Sequence, residues 1–325
     1  PGPACYGQGG SHATLTDANL SLGYLDPDFF LGGEMSLDRA SATDAIDRSV
    51  SIPLDLPNDR AAWGIHEIID EDVARAFRIH ASERGFDYRN STMIAFGGSG
   101  PVHAMGVAKK LGIPRVVFPF AAGVMSALGL LASPLTFEVS RTRQVFVDQV
   151  DADDFEKTFN SLEEEARAPL RLTAGEDEVT ILRRVDMRYH GQGHEIEVDV
   201  PLGVELENLP VLFRETYTSV YGASLLDAPL VITTWKVEAA LPTPSLLTTP
   251  PGALEEGVEK GKRFAYFDSG FVETPVYDRY QLAINTVIVG PALIEEREST
   301  VVIGPGDRAK VDRYGNLVAE REYAL

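Results

Sequence analysis

The spacing of apolar and polar positions predicts an α/β chain whose character changes at about residues 134–150. Thr16 or Asp17 can cap a helix entering Leu20 and Leu22, and turn-rich text follows at Asp26-Pro27-Asp28 and Gly32-Gly33. A short helix is expected over about Asp38 to Val50, ahead of Pro53 and Pro57. The strongest 3.6-residue period runs from about Ala61 to Arg84. It sets Ile65, Ile68, Ile69, Val73, Ala76, Phe77 and His80 on one face, with Gly85 in the C′ position. An apolar run from Thr92 to Phe96 then reads as a buried strand of a parallel sheet. It passes through Gly97-Gly98-Ser99-Gly100 into a helix opened by Pro101 and ended by Gly112. The strand Arg115 to Phe118 completes a βαβ unit, and Gly123 to Leu131 suits a helix packed closely under a sheet.

Beyond Asp151 an amphipathic helix carries Phe155, Phe159, Leu162 and Ala166 on one side, with Glu163-Glu164-Glu165 as its solvated flank. Period-two alternation predicts a hairpin joining Leu182–Tyr189 to Glu195–Val200. A helix with Phe213, Tyr217, Val220 and Tyr221 follows, then a long strand from Leu230 to Ala240. Residues 241–262 read as a linker, and the remainder as short β segments broken by turns.

Composition narrows the function classes. The 325 residues are enough for two or three domains, and a net charge of −20 disfavours nucleic-acid and membrane-surface partners. No apolar run is long enough to span a bilayer. The single cysteine, Cys5, rules out an internal disulfide and fits a reducing, cytoplasmic setting. The chain begins on Pro1-Gly2-Pro3 without a methionine, which reads as a processed product or a fragment.

The segment Gly97-Gly98-Ser99-Gly100 is the leading candidate for chemistry. Adjacent glycines at the end of a strand let a ligand lie against bare backbone, and the helix start behind them offers unpaired N–H groups to a phosphate. The same pattern also suits a plain tight turn. His103, one turn into the helix, either touches a ligand bound there or serves capping and packing. His12, ahead of Thr16 and Asp17, can stand near a phosphate or metal if the glycine-rich entrance faces the site. His190 and His194 flank the hairpin turn at a spacing open to a metal, while His66 and His80 read as core or interface residues. No Ser/His/Asp arrangement and no Cys/His zinc spacing is legible.

Taken in order, Pro1-Gly2-Pro3-Ala4-Cys5-Tyr6-Gly7, Thr16-Asp17-Ala18-Asn19-Leu20, Phe30-Leu31-Gly32-Gly33, Ala95 through Ala104, and Ser126-Ala127-Leu128-Gly129-Leu130 resemble the hydantoinase A/5-oxoprolinase family. Arg188-Tyr189-His190-Gly191-Gln192 and Gly290-Pro291-Ala292-Leu293-Ile294-Glu295-Glu296 extend the resemblance to the C-terminal part. The resemblance implies part of an actin-like (ribonuclease H-like) ATPase core over residues 1–140. An α+β domain over 141–245 and a β-rich C-terminal region over 246–325 would follow. It implies ATP and Mg²⁺ as cofactors and an adenosine motif at Gly97, Gly98, Ser99 and Gly100, with His103 beside it. Thr16, Asp17 and Asn19 match a motif near the site, to which the resemblance assigns no defined role; His12 stands where a less basic residue is expected. Catalytic residues and metal ligands are not identified.

The implied activity is ATP-dependent opening of a cyclic amide such as a lactam or hydantoin, with carboxylation of a ketone and a non-catalytic scaffold as alternatives. Two phosphate-binding glycine motifs of the family are absent from the chain, so a missing N-terminal ATPase lobe and a hydantoinase B-type subunit are the expected partners in a hetero-oligomer.

Overall fold

The computed structural model describes residues 2–172, 179–223, 225, 228–244 and 259–321. The chain divides into two compact units, one formed by Pro1–Gly129 with Leu247–Leu325 and the other by Leu130–Leu246.

The first unit begins with the helices α1 (Leu15–Ser21), α2 (Arg39–Ile46), the short α3 (Ile52–Leu54) and the long α4 (Asn58–Glu83). The N-cap of α1 is Thr14, in a reciprocal capping box with Asp17, and Asp38 caps α2. Strand β1 (Thr92–Ile94), helix α5 (Gly100–Leu111) and strand β2 (Arg115–Phe118) form the expected βαβ unit, with β1 and β2 parallel. Helix α6 (Met125–Ala132) leads the chain out of this unit.

The second unit is a four-stranded antiparallel sheet in the order β3-β6-β4-β5, made of β3 (Thr136–Phe146), β4 (Thr180–Tyr189), β5 (Ile196–Val200) and β6 (Leu230–Ala240). Helices α7 (Ala152–Arg167) and α8 (Leu209–Tyr221) belong to it. The α7 face foretold by its period, Phe155, Phe159, Leu162 and Ala166, is buried in one cluster with Trp235 of β6 and Phe213 of α8. Each such aromatic contributes about 1.5–3 kcal/mol through burial. Glu163 is bonded to Arg183 of β4 at 2.5 Å, so the acidic flank of α7 is partly an ion-pair edge.

Beyond the second unit come β7 (Glu259–Phe267), β8 (Gly270–Asp278), β9 (Val287–Val289), β10 (Ala292–Glu295), β11 (Thr300–Ile303), β12 (Arg308–Val311) and β13 (Leu317–Glu320). These strands do not stand apart as a separate β-rich region. β13 pairs antiparallel with β2, giving the mixed five-stranded sheet β1-β2-β13-β12-β9, and β11-β10-β8-β7 forms a second sheet of the same unit. Alternating side chains of β2, β12 and β13 share one apolar core with Ala104, Met105, Val107, Ala108 and Leu111 of α5. Most of the linker expected at 241–262 lies outside the described residues.

Three expectations are corrected. Among the described residues β1 pairs only with β2 and so lies at the sheet edge rather than buried, with Ile94 and Phe96 exposed. The helix α6 buries none of its residues. Helix α4 turns a different face inward from the one its apolar period marks. Ala61, Ala62, His66, Asp70, Ala74 and Ala81 are buried, while Ile68, Val73 and Phe77 are exposed. Small residues let α4 lie close to α1 and α5, and that close approach outweighs the transfer of larger apolar groups. Among the described residues no helix is long and apolar enough to cross a membrane.

Candidate functional site

The strand-to-helix bend after β1 is held by two backbone bonds, Ala95 N–H to the Val117 carbonyl at 2.9 Å and Gly97 N–H to the Ala122 carbonyl at 2.8 Å. Gly97 has φ of +90°, a conformation that a side chain would strain, and a Cβ built on it meets nothing within 4 Å. Gly100 likewise faces open space, whereas a Cβ on Gly98 would lie 3.3 Å from the Glu298 carbonyl oxygen. The bend is therefore bare on one side and backed by the β10–β11 turn on the other. Ser99 provides no side-chain cap to α5; Pro101 has no N–H and Val102 N–H is bonded to the Ser99 carbonyl at 3.1 Å, so Gly100 N–H is the first-turn donor that faces a ligand.

The turn behind the bend is itself fixed from within. Arg279 and Glu296, both buried, form an ion pair at 3.4 Å, and Glu296 accepts from Ser299 Oγ at 3.2 Å. Burial pushes the Glu296 carboxyl up, against the pull of Arg279.

One helical turn beyond the bend, α5 enters a buried polar cluster drawn from three helices. Asn19 of α1, His66 and Asp70 of α4 and His103 of α5 are all less than a tenth exposed. His66 donates from Nδ1 to Asn19 Oδ1 at 2.9 Å, and Asn19 Nδ2 donates to His103 Nε2 at 3.2 Å. His103 then donates from Nδ1 to Asp70 Oδ1 at 2.7 Å. Accepting at Nε2 while donating from Nδ1 makes the His103 imidazole neutral. The remaining atoms of the cluster, His66 Nε2 and Asp70 Oδ2, face each other at 3.6 Å, and Oδ2 has no hydrogen-bond partner. Burial, then His103 and Lys110, push the His66 imidazole down to about 3. Burial pushes the Asp70 carboxyl up, with the His103 bond opposing it.

His66 and Asp70 of the cluster line a cavity of about 360 Å³ whose walls include Tyr24, Trp63, Phe267 and Met105. Trp63 stacks on His66 with ring centroids 5.6 Å apart, and His66 stacks on His103 at 4.3 Å with 25° between the planes. At the rim, Lys110 is paired with Glu67 at 2.8 Å, Lys109 with Asp268 at 3.3 Å and Arg321 with Asp307 at 3.4 Å.

The sequence candidates distribute unevenly over these features. Gly97, Gly98, Ser99 and Gly100 form the bend. His103 points away from solvent into the cluster, where it meets Asn19, so two candidates distant in sequence are brought together. Asp17 is buried and accepts from the backbone N–H groups of Ala4, Cys5 and Thr14, which makes it the lock of the N-terminal loop. Thr16 is half-buried and His12 exposed. His190 and His194 are exposed in the second unit. Among the described residues, the group of three ligand-type side chains close enough to share an ion is His66, Asp70 and His103. Sequence reasoning does not single out Asp70, and reaches His66 only as a core residue; their i, i+4 spacing on one helix face is the available signal.

Comparison with known proteins adds ancestry to this geometry. The chain is 31% identical to caprolactamase subunit alpha of Pseudomonas jessenii, over 96% of its own length and 47% of that protein. It is 32% identical to the acetophenone carboxylase gamma subunit of Aromatoleum aromaticum, over 98% of this chain and 46% of that one. Among solved structures, nucleotide-free acetone carboxylase superposes with a TM-score of 0.81 at 26% identity, covering 98% of this chain and 48% of that chain. The chain thus spans about half the length of the relatives it matches, and the likeness bears out the expected α/β class, an actin-like core with a β-rich part. Residues 1–139 match the hydantoinase/oxoprolinase family and residues 147–320 its C-terminal domain; the chain belongs to the hydantoinase/oxoprolinase family.

Proposed function

We propose that this chain carries the adenosine side of an ATP-dependent enzyme that activates a cyclic amide for hydrolysis. The observation that carries the reading is the bare, positive-φ glycine bend opening onto the first turn of α5. An amide carbonyl is a poor electrophile. Transfer of the ATP γ-phosphoryl group to its oxygen, with release of ADP and of the N–H proton, gives an imidate phosphate; water adds at carbon, the ring C–N bond breaks as the nitrogen takes up a proton, and a second water hydrolyses the resulting acyl phosphate to phosphate and the ring-opened amino acid. Gly97, Gly98 and Gly100 would lie against the nucleoside, and the Gly100 N–H at the start of α5 would face its polar edge. Mg²⁺, which phosphoryl transfer from ATP uses to neutralise charge, is assigned no ligand on this chain. The grip on the β- and γ-phosphates is assigned to a partner lobe, and a second, hydantoinase B-type subunit is the expected companion.

A ketone carboxylase is the second reading, favoured by the similarity to the acetophenone carboxylase gamma subunit and by the TM-score of 0.81 to acetone carboxylase. In that case the enolate oxygen or bicarbonate takes the phosphoryl group.

Two measurements test the proposal. Amide hydrogen exchange on adding ADP should slow over residues 95–103, and Gly97→Val should weaken nucleotide binding by about tenfold or more, because a β-branched side chain is strained at that φ. Protection confined to another part of the chain, or unchanged affinity in a folded Gly97→Val variant, overturns the adenosine assignment. With the partner lobe and subunit present, ATP turnover stimulated by a lactam supports the hydrolase. Turnover that requires a ketone together with bicarbonate supports the carboxylase, and a complex that binds no ATP supports a scaffold.

A further inference from the structure

The gap between His66 and Asp70 is not closed by a hydrogen bond. His66 Nε2 and Asp70 Oδ2 confront each other at 3.6 Å inside the protein, and Oδ2 has no hydrogen-bond partner. Each is held there from behind: His66 by its Nδ1–H bond to Asn19, Asp70 by the Nδ1–H of His103. Metal-binding histidines and carboxylates are oriented in this way, with the far nitrogen donating to an amide or carbonyl and the second carboxylate oxygen hydrogen-bonded. The pair sits at i, i+4 on α4, so one helix face presents both ligand atoms. An ion bonded to both at about 2.1 Å would see them at an angle of about 120°, within the range of a distorted tetrahedral site.

We propose that His66 Nε2 and Asp70 Oδ2 bind one divalent first-row transition-metal ion at the floor of the cavity walled by Tyr24, Trp63 and Phe267, with the remaining coordination positions open to that cavity. The donor set of one imidazole and one carboxylate selects zinc, cobalt or manganese over calcium. His103 is not a third ligand. Its Nδ1 is committed to Asp70, and its ring lies nearly parallel to His66, so no point within bonding distance falls in both ring planes. Its role is to hold Asp70. Gly106 completes the arrangement, because a Cβ there would fall 2.0 Å from Asp70 Oδ2 and drive the carboxylate from its place. The site is separate from the glycine bend and does not depend on the nucleotide assignment.

The test is a titration of the chelator-stripped chain with Co²⁺, followed by visible d–d absorption, and with Zn²⁺, followed by calorimetry. One equivalent should bind, the His66 Nε2 nitrogen resonance should move on adding Zn²⁺, and the Nδ1 resonance should stay hydrogen-bonded in character. Affinity should vanish in His66→Gln and Asp70→Asn and fall by roughly 10–100-fold in His103→Asn. His190→Asn should leave it unchanged. The nitrogen spectrum of the unsubstituted chain decides the matter if the variants fail to fold. Absence of saturable binding, which would mean that a proton or a buried water fills the gap, overturns the proposal. So does binding that survives both ligand substitutions, or binding that is lost with His190.

Discussion

Gly106 lies in the interior of α5, where helix propensity alone favours alanine by about 0.8–1 kcal/mol. The buried Asp70 carboxylate occupies the space that the new methyl group would need. The packing term should win, and Gly106→Ala is expected to lower stability by about 1–3 kcal/mol in a denaturant melt. A stabilised variant would show that Asp70 can move aside. His66 gives a pH signature of its own. Its folded value, about 3, lies below the ordinary 6.5, so the unfolded chain takes up a proton first as pH drops. Stability is therefore complete above pH 6.5 and declines toward pH 3, by up to about 1.4 kcal/mol per pH unit. Asp70, raised by burial, contributes stability only at the acid end and offsets the lowest part of that limb. Melts of the chelator-treated chain and of His66→Gln should diverge between those pH values, and parallel curves would refute the assignment.

Helix α4 separates what a hydrophobic period can tell from what it cannot. The period locates the helix to within a few residues, yet the stripe it marks, Ile68, Val73 and Phe77, is exposed. The buried stripe consists of alanines with His66 and Asp70, residues that carry little hydropathy and are invisible to that reading. Ile68→Lys is accordingly expected to change stability by no more than about 0.5 kcal/mol. Ala74→Leu, on the face against α5, should cost about 1–3 kcal/mol, and thermal melts of the two would check the ranking. In α7 and β4–β5 the same kind of reading is accurate, because there large apolar side chains fill the core. The glycine bend is also legible as a strand-to-helix turn, since its geometry is local. The cluster is not, because it is assembled from α1, α4 and α5, whose members lie up to 84 residues apart.

The boundaries implied by the family resemblance place the last eighty or so residues in a region of their own, whereas their strands complete the sheets of the first unit. Strand pairing across about two hundred residues leaves no mark in local pattern, so it could not be read. The second unit, by contrast, has its own apolar core, and its first and last strands run side by side, with Thr136 opposite Ala240. A segment covering Leu130–Leu246 should therefore fold alone with a cooperative melt. A chain ending at Pro244 should lose the cooperative transition of the first unit, because Ile288, Ile294, Val301 and Leu317 would be missing from its core. Calorimetry of the two pieces beside the whole chain checks both outcomes.

That pairing of β2 with β13 also dictates an order of events during synthesis. The ribosome delivers β2 long before its partner exists, so the nascent first unit must wait, half-built, while the inserted unit behind it folds to completion. Chaperones would meet this chain with its middle finished and its beginning still open.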